Sequence, residues 1–248
     1  MIIFGEKIMK LASFDIFDTT LVRKCGSPDN IFYLLSKRIY PQNQSLQNSF
    51  FQWRKEAEQK AMIRLKDNYL KLEDIYTEFD SVSFPKWNVE QLIAMETQLE
   101  LTELVAVSEI KQLIAQKRNE GYTICFISDM YLPEHVLKSK LLEEGCADID
   151  DKVFVSCEYQ ATKSEGTLYE IVRKDFNSIT LWEHYGDNLY SDYKKAVKRG
   201  IKATLVHSDY TPIEQFILSS STFFPFYSDL SVLIGLQRAT RLSLQKKK

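Results

Sequence analysis

The stretch that decides the fold of this chain is residues 11–21, which read LASFDIFDTTL. Its first four residues form a short apolar run, and such a run next to turn-forming residues predicts a buried β-strand. The strand ends at Asp15, and Asp18 and Thr19 follow closely. Ligands of open α/β sheets bind beyond the carboxyl ends of the strands. The stretch therefore indicates an acidic site, although a plain Asp/Thr turn explains it equally well by itself.

The composition is that of an ordinary globular protein. Of the 248 residues, 44% are hydrophobic and 27% are charged, and the formal net charge is −2. This balance offers no electrostatic attraction for nucleic acid or for an anionic membrane. No run approaches the roughly 20 apolar residues that a membrane helix needs. The 4 cysteines are far apart and form no CxxC pair, so we expect reduced thiols in a cytoplasmic protein.

Residues 25–105 carry helical patterns only, because their apolar residues recur at helical spacing. The first helix begins at Ser27-Pro28-Asp29, where the serine can cap the helix and the proline suits its first position. It is expected to stop before Pro41. Three further helices are predicted over residues 49–66, 72–79 and 89–104.

From Ser108 onward the pattern alternates between helices and strands. The predicted strands cover residues 122–127, 152–155, 180–185 and 201–206, and the predicted helices cover residues 108–121, 133–144, 166–174 and 189–199. Alternation of this kind is typical of right-handed βαβ units and of a parallel sheet covered by helices on both faces.

The predicted fold class is therefore α/β, with a Rossmann-like, doubly wound parallel sheet and an inserted all-helical cap. The expected core domain comprises residues 1–24 and 106–210, and the expected helical cap domain comprises residues 25–105. Residues 211–248 form a C-terminal extension to which the sequence assigns no role. The cap is expected to move as a lid over the ends of the strands.

Polar side chains follow four of the predicted strands. They are Asp15, Ser128 with Asp129, Lys163, and Asp187 with Asp192. Several carboxylates at one edge of a sheet repel one another unless a cation joins them, and oxygen ligands suit Mg²⁺. A lysine and a hydroxyl beside them suit an anionic, oxygen-rich group such as phosphoryl. A carboxylate facing phosphorus can attack it and form an aspartyl phosphate.

This set of motifs resembles the haloacid dehalogenase-like (HAD) hydrolase superfamily. The first family motif is Asp-x-Asp-x-Thr, and Asp15 and Thr19 match its first and last positions. Ser128 matches the second motif, Lys163 the third, and residues 186–192 (GDNLYSD) the acidic fourth motif. The resemblance covers residues 11–206, and the FDIFDT and ISDMYLP forms are similar to a less characterised bacterial subgroup of that superfamily.

The resemblance implies a role for each matching residue. Asp15 would be the nucleophile and a metal ligand, and Asp187 and the backbone carbonyl of Phe17 would complete the Mg²⁺ site. Ser128 and Lys163 would hold the phosphoryl group, and Asp192 would ligate the metal or orient its ligands. Thr19 and Asp129 would join Ser128 and Lys163 in binding the substrate.

One position departs from the family pattern. Family phosphatases carry an aspartate two residues after the nucleophile, which protonates the leaving alcohol, and this chain has Phe17 there. Neighbouring side chains of an extended strand point to opposite faces, so we expect Asp18 to point away from the cleft and to bond the turn backbone. Loss of a general acid costs about 10² to 10⁴ in rate.

Three functions remain open at this stage. The first is a Mg²⁺-dependent phosphohydrolase acting on a small phosphorylated metabolite. The second is a metal-free hydrolase of the dehalogenase kind, which Phe17 favours. The third is a binding or regulatory domain that keeps the fold and has lost efficient catalysis. No nucleic acid or membrane is expected as a partner, and the sequence leaves substrate identity and oligomeric state open.

Three further residues carry structural expectations. Arg23 is interpreted as a surface arginine, with a contact to a substrate anion as the alternative. Arg54 is expected to pair with Glu58, because residues four apart on a helix are neighbours. His184 precedes the fourth motif inside a strand and is expected to be a core residue or to support the ligands.

Overall fold

The computed structural model describes residues 9–66, 69–207, 210–221 and 227–244. The strands are β1 (Met9–Asp15), β2 (Leu21–Arg23), β3 (Leu104–Ala106), β4 (Thr123–Ser128), β5 (Lys152–Val155), β6 (Ile179–Gly186) and β7 (Lys202–Leu205). The helices are α1 (Pro28–Ile39), α2 (Gln44–Leu65), α3 (Leu72–Tyr76), α4 (Val89–Glu103), α5 (Ser108–Asn119), α6 (Glu134–Glu143), α7 (Ser156–Tyr159), α8 (Thr167–Asp175), α9 (Lys195–Val197), α10 (Pro212–Ser221) and α11 (Tyr227–Leu244), with a π-helix at Leu189–Lys194 before α9.

The main sheet has five strands in the order β5-β4-β1-β6-β7, and every neighbouring pair is parallel. Strand β1 lies at the centre, with β4 on one side and β6 on the other. The carboxyl ends of all five strands therefore meet at one edge, and Asp15 stands in the middle of that edge. The predicted α/β class with a doubly wound parallel sheet is confirmed.

Side chains alternate between the two faces of the sheet, because successive residues of a strand point to opposite sides. On one face Phe14 packs in a cluster with residues of α5 and α6, such as Ile114 and Leu141. On the other face Leu11 packs in a cluster with residues of α8, such as Leu168. Burial on both faces explains why the strands read as nearly continuous apolar runs.

Helices α1 to α4 form the block inserted between β1 and the rest of the sheet. The chain enters and leaves this block through an antiparallel ribbon in which β2 pairs with β3. The sequence predicted a change of domain at both places but neither strand, because three residues are too few to show a period of two. Lys24 N–H continues the ribbon by donating to the Glu103 carbonyl at 2.7 Å.

The expected pair between Arg54 and Glu58 is wrong. Arg54 is fully buried and donates two hydrogen bonds to Glu96 of α4, at 2.8 and 2.6 Å. Arg54 shares the inner face of α2 with Phe50 and Ala57, so its charge is directed into the block and needs a buried carboxylate. Spacing along a helix sets which residues are near one another, but tertiary packing decides which of them pair.

Helices α10 and α11 follow the last strand of the sheet. They pack against each other, and α11 also contacts α1, α5 and the ribbon of β2 and β3. The C-terminal extension, to which the sequence assigned no role, thus lies against both the sheet core and the inserted block. Within the described part of the chain, no helix combines the length and apolarity required to cross a bilayer.

The 4 cysteines are free thiols and all are buried: Cys25, Cys125, Cys146 and Cys157. Burial raises the pKa of the Cys146 and Cys157 thiols to about 12. Such thiols stay protonated at neutral pH and react slowly, because the thiolate is the reactive form. The structure agrees with the expectation of unpaired core thiols rather than a disulfide framework.

Candidate active site

A buried lysine lies between two carboxylates at the central edge of the sheet. Lys163 Nζ contacts Asp15 Oδ1 at the end of β1, and it contacts Asp192 Oδ1 at 2.7 Å. All three side chains are almost completely buried. Burial alone would lower the pKa of Lys163, but Asp15 and Asp192 raise it well above its ordinary value. The lysine is therefore fixed in its charged form.

A third carboxylate joins this group and gives it an excess of negative charge. Single carboxylate oxygens of Asp15, Asp187 and Asp192 all lie within 4.8 Å of one another. Asp187 is the exposed member of the group, and partial desolvation, followed by the charges of Asp18 and Asp192, raises its pKa to about 6. Burial also raises the pKa of Asp15, against the opposing pull of Lys163. One lysine thus faces more carboxylates than it can neutralise, which is the arrangement expected of a cation site.

The glycine of the fourth motif is needed for Asp192 to reach the site. A Cβ atom at Gly186 would lie 2.4 Å from Asp192 Cγ, so a side chain at position 186 would displace the aspartate. Asp192 lies in the π-helix, where an α-helix was predicted. The Asn188 side chain caps this segment by accepting hydrogen bonds from the Tyr190 and Ser191 N–H groups at 2.9 and 3.0 Å. π-Helical turns are often found at functional sites.

A buried polar chain supports Asp192 from behind. The Trp182 indole N–H donates to Ser13 Oγ at 2.8 Å, Ser13 Oγ lies 2.7 Å from His184 Nδ1, and His184 Nε2 lies 3.4 Å from Asp192 Oδ1. With the serine hydroxyl donating to Nδ1, the proton of His184 resides on Nε2 and points to the carboxylate. His184 is a fully buried core residue that contacts Asp192, in line with the expectation for it, whereas Ser13 and Trp182 were missed. A serine inside an apolar strand was the signal available for Ser13.

Ser128 is the last residue of β4 and Asp129 follows it, and both line the same cavity as Asp15 and Lys163. The Asp129 carboxylate accepts hydrogen bonds from the backbone N–H groups of Lys163 and Ser164, at 2.8 and 3.3 Å. These bonds fix the loop that carries Lys163. The side chain of Asp129 is therefore occupied in positioning the lysine, in addition to lining the cavity.

Hydrogen bonds from threonine hydroxyl groups and from the backbone hold the loop that follows Asp15. Thr20 Oγ1 donates to the Asp15 carbonyl at 2.6 Å, and the Leu21 N–H donates to the Ile16 carbonyl at 2.7 Å. Thr19 Oγ1 donates to Asp187 Oδ1 at 3.4 Å. The structure places Thr19 beside the acidic group, where it connects the first motif to the fourth.

The residue in the usual acid position packs on an arginine. The Phe17 ring lies 4.4 Å from Arg23 Cζ, and Arg23 Nε donates to Glu100 at 2.6 Å. Arg23 is buried, so its interpretation as a surface residue is wrong: β2 carries it into the junction between the sheet and the inserted block, where Glu100 balances its charge. Phe17 itself lines the cavity above Asp15.

Asp18 does not point away from the cleft as expected, because it also lines that cavity. Its backbone is left-handed, with φ +56°, so the alternation of an extended strand has already ended at this residue. Arg238 Nη2 of α11 donates to Asp18 Oδ1 at 2.8 Å. The aspartate that comes one place late is therefore present at the site and is paired with the C-terminal helix.

Two adjoining cavities meet at Asp129. The first, of about 400 Å³, contains the three clustered carboxylates and Lys163. The second, of about 320 Å³, lies between the sheet edge and the inserted block. Its lining combines apolar side chains with a few charged ones, among them Phe32, Glu58, Met62, Leu70 and Tyr131. The pair has the size and polarity expected for a charged reacting group with an attached organic part.

Structure comparison finds HAD proteins among the solved structures with the same fold. A HAD hydrolase of Bacillus subtilis, YfnB, solved with magnesium bound, aligns with a TM-score of 0.56 and 17% identity over 83% of this chain and 92% of its own. The L-2-haloacid dehalogenase of Xanthobacter autotrophicus, with chloropropionic acid covalently bound, aligns with a TM-score of 0.58 and 14% identity over 91% and 88%. A HAD phosphatase from Thermococcus onnurineus aligns with a TM-score of 0.53 and 17% identity over 82% and 88%.

Sequence comparison adds nothing to this relationship, since no protein-family model and no curated protein matches the chain. The structural neighbours include both phosphatases and dehalogenases. From the topology of its sheet and from these alignments, the chain has the fold of the haloacid dehalogenase-like hydrolases.

Proposed function

We propose that the protein is a Mg²⁺-dependent phosphohydrolase that acts on a small phosphorylated metabolite through an aspartyl phosphate on Asp15. The observation that carries this proposal is the charge of the site. Three carboxylates converge within 4.8 Å at a cavity, and Lys163 is the cation in contact with two of them. A metal-free dehalogenase needs no such excess of carboxylates.

The residues present fit a hard divalent cation. Asp15 and Asp187 offer carboxylate oxygens, Phe17 lines the cavity and can offer its carbonyl, and Asp192 is close enough to ligate or to orient. No histidine or cysteine belongs to the clustered group, which favours Mg²⁺ over zinc. When bound, the cation neutralises the charge that would otherwise repel a phosphate from the Asp15 carboxylate.

The chain's own residues account for the covalent step. An oxygen of Asp15 attacks phosphorus and forms an acyl phosphate, while the bond from phosphorus to the leaving oxygen breaks and its electron pair stays on that oxygen. Lys163 and Ser128 hold the equatorial phosphoryl oxygens. Water then attacks the phosphorus of the acyl phosphate, and the bond from the Asp15 oxygen to phosphorus breaks with its electron pair left on the Asp15 carboxylate. Both protons of the water leave on the product, dihydrogen phosphate.

The leaving group is the distinctive part of this reaction. Phe17 cannot donate a proton, and the Asp18 carboxylate is engaged by Arg238. The reaction therefore favours leaving oxygens that carry negative charge well, such as an aryl oxide or the carboxylate of an acyl phosphate. The organic part occupies the second cavity, where Phe32, Met62 and Tyr131 supply apolar contact and Glu58 a polar one.

The alternative is hydrolysis of a carbon–halogen bond at the same aspartate. Phe17 favours it, since a halide leaves without a proton, and a haloacid dehalogenase has the same fold. The acidic residues Asp187 and Asp192 oppose it, because an anionic 2-haloacid would meet their charge with Lys163 but no metal cation to offset it. A binding domain without turnover is the third possibility and follows from the missing acid alone.

The test is a screen of phosphorylated metabolites, p-nitrophenyl phosphate and 2-chloropropionate, each with Mg²⁺ and with a chelator. We expect phosphate release that requires Mg²⁺ and disappears in Asp15→Asn. Chloride release that is unchanged by the chelator would establish the alternative, a metal-free dehalogenase. Absence of both activities, together with no binding of beryllium fluoride as an acyl-phosphate mimic, would leave a binding domain.

A further inference from the structure

The C-terminal helix α11 contacts three functional parts of the molecule at once. Near its start, Asp229 accepts hydrogen bonds from Tyr33 and Lys37 of α1, at 2.7 and 2.9 Å. Ser231 Oγ accepts a hydrogen bond from Asn30 at 2.8 Å. These contacts connect α11 to the first helix of the inserted block.

At its middle, α11 lies directly on the turn that leads into the inserted block. A Cβ atom at Gly235 would lie 2.3 Å from the backbone nitrogen of Gly26, so the two backbones are in contact and no side chain fits between them. Gly26 has φ +92°, a conformation that a glycine adopts readily. The position of α11 relative to the ribbon is thus fixed by backbone contact.

One helical turn further on, α11 reaches the loop of residues 16–20 that follows Asp15, here called the catalytic loop. Arg238 is almost completely buried, its guanidinium stacks on Tyr210 at 4.8 Å, and it donates to Asp18 Oδ1 at 2.8 Å. Asp18 lines the cavity of Asp15 and Asp187 and precedes Thr19, which is bonded to Asp187. A side chain outside the four motifs therefore delivers a positive charge to the acidic edge.

Helix α11 has several contacts with the rest of the molecule besides Arg238. Its other anchors include the Ser231–Asn30 hydrogen bond, the backbone contact at Gly235, and the ion pair between Arg241 and Glu214 of α10 at 3.0 Å. Arg241 lies on the same helix, three residues after Arg238, and makes an ion pair of similar geometry away from the cavity. It provides a matched control for the loss of one arginine from this helix.

We propose that Arg238 is a positioning residue of the active site: it holds the Asp18 carboxylate and offsets its charge, so that the catalytic loop accommodates both a divalent cation and an anionic phosphoryl group. The proposal rests on the proposed function in one respect, namely that the site binds these two ions. Without Arg238, the group of Asp18, Asp15 and Asp187 would lose one neighbouring positive charge. Cation binding would then strengthen and anion binding would weaken.

The experiment measures Mg²⁺ and orthophosphate binding by calorimetry in Arg238→Met, Arg241→Met and Asp18→Asn, and in the double variant of the first and third. We expect Arg238→Met to bind Mg²⁺ roughly 3- to 10-fold more tightly and orthophosphate weaker by a similar factor, as one unit charge nearby predicts. Arg241→Met should match the wild type in both. The double variant should return to within about twofold of wild type, since both charges are gone.

A conservative variant separates charge from structure. Arg238→Lys keeps the charge and should retain both affinities near the wild-type values, whereas a mere helix anchor would be damaged by either substitution. If Arg238→Met lowers the affinity for both ligands, or leaves both affinities unchanged as Arg241→Met does, the arginine only docks α11 and the proposal is wrong.

A third measurement keeps the proposal testable if the proposed function fails. The Asp18 N–H donates to the Leu21 carbonyl at 2.8 Å, so its hydrogen exchange reports how well the catalytic loop is held. We expect exchange in a peptide covering residues 15–23 to accelerate about tenfold in Arg238→Met and to stay unchanged in Arg241→Met. A wild type that binds neither ion would overturn the proposed function alone, while equal exchange in the two variants would overturn the positioning role.

Discussion

Two ion clusters in this molecule, one fully buried and one that includes the exposed Asp187, use similar residues in opposite ways. In the inserted block, Arg54 and Glu96 form a bidentate pair with one charge of each sign, and Tyr76 adds a hydrogen bond to Glu96 at 2.7 Å. At the sheet edge, Lys163 contacts Asp15 and Asp192, and Asp187 lies within 4.8 Å of both aspartates. The first cluster is balanced and closed, and the second is unbalanced and opens on a cavity.

The difference indicates what each cluster is for. The partners of a balanced buried pair neutralise each other's charge, so removing either one leaves the other unpaired and harms the fold. An unbalanced group at a cavity stores like-charge repulsion that a bound cation relieves, so its members carry chemistry at some expense of stability. Both clusters contain buried side chains of both charge signs, so these two properties do not distinguish them. The clusters differ in their charge balance and in their access to a cavity.

The largest expected effect is on turnover at the unbalanced cluster. Asp15→Asn removes the nucleophile and should lower Mg²⁺-dependent phosphate release by at least about 10⁴-fold, as loss of a nucleophile commonly does. Its melting temperature should not fall, because the substitution lowers the excess of negative charge. Steady-state kinetics together with thermal unfolding of the same preparation check both parts. If Asp15→Asn kept more than one hundredth of the wild-type turnover, a residue other than Asp15 would be the nucleophile.

The next effect is on stability at the balanced cluster. Glu96→Gln leaves the buried Arg54 charge without its partner and should lower the free energy of unfolding by about 3–5 kcal/mol. The matched control is Glu56→Gln, which breaks an exposed pair with Lys60 and should cost less than about 0.5 kcal/mol. Urea unfolding measures both. Equal losses in the two variants would contradict the distinction between buried and exposed pairs.

A smaller effect concerns the missing acid. Phe17→Asp should raise turnover of simple alkyl phosphates about tenfold, at the lower end of what a positioned acid contributes. Arg23 lies beside this position but is already bonded to Glu100, which leaves a new carboxylate available for proton transfer. Phe17→Leu is the control and should give no gain. Kinetics with an alkyl and an aryl phosphate measure the effect, which should be confined to the alkyl substrate.

The smallest effect is the pH dependence of the metal-free protein. Partial desolvation and the neighbouring charges of Asp18 and Asp192 raise the pKa of Asp187 to about 6, whereas an aspartate of an unfolded chain titrates near about 3.9. The folded state therefore holds this proton more tightly, and Asp187 should lower stability as the pH rises from about 4 to about 6. Thermal unfolding across this range should show Asp187→Asn gaining stability relative to the wild type as the pH rises. An identical dependence of stability on pH in both proteins would contradict the raised pKa of Asp187.

Much of the fold follows from sequence because its signals are local. The apolar run of residues 11–14 and the later runs of the sheet show where the strands lie, and the polar residues that end them show the site. Gly186 and Asp187 could both be assigned to the fourth motif, because they are adjacent in the sequence at the end of one predicted strand. These are features in which neighbouring residues determine the structure.

The remaining features depend on partners that the sequence places far apart. Arg54 and Glu96 are 42 positions apart, and Arg238 and Asp18 are 220 positions apart, so no spacing rule could have paired them. The orientation of Asp18 was wrongly predicted because a left-handed residue breaks the alternation of a strand. The π-helix at Asp192 depends on Asn188 capping it and on the absence of a side chain at Gly186.

The most direct test of the central claim is chemical trapping at Asp15. The protein is incubated with p-nitrophenyl phosphate and Mg²⁺, quenched, and reduced with borohydride, which converts an aspartyl phosphate to homoserine. We expect mass spectrometry to find homoserine at position 15 in the wild type, and to find none without Mg²⁺ or in Asp15→Asn. Phosphate release by the wild type with an unmodified Asp15, or with the label on another aspartate, would contradict the account.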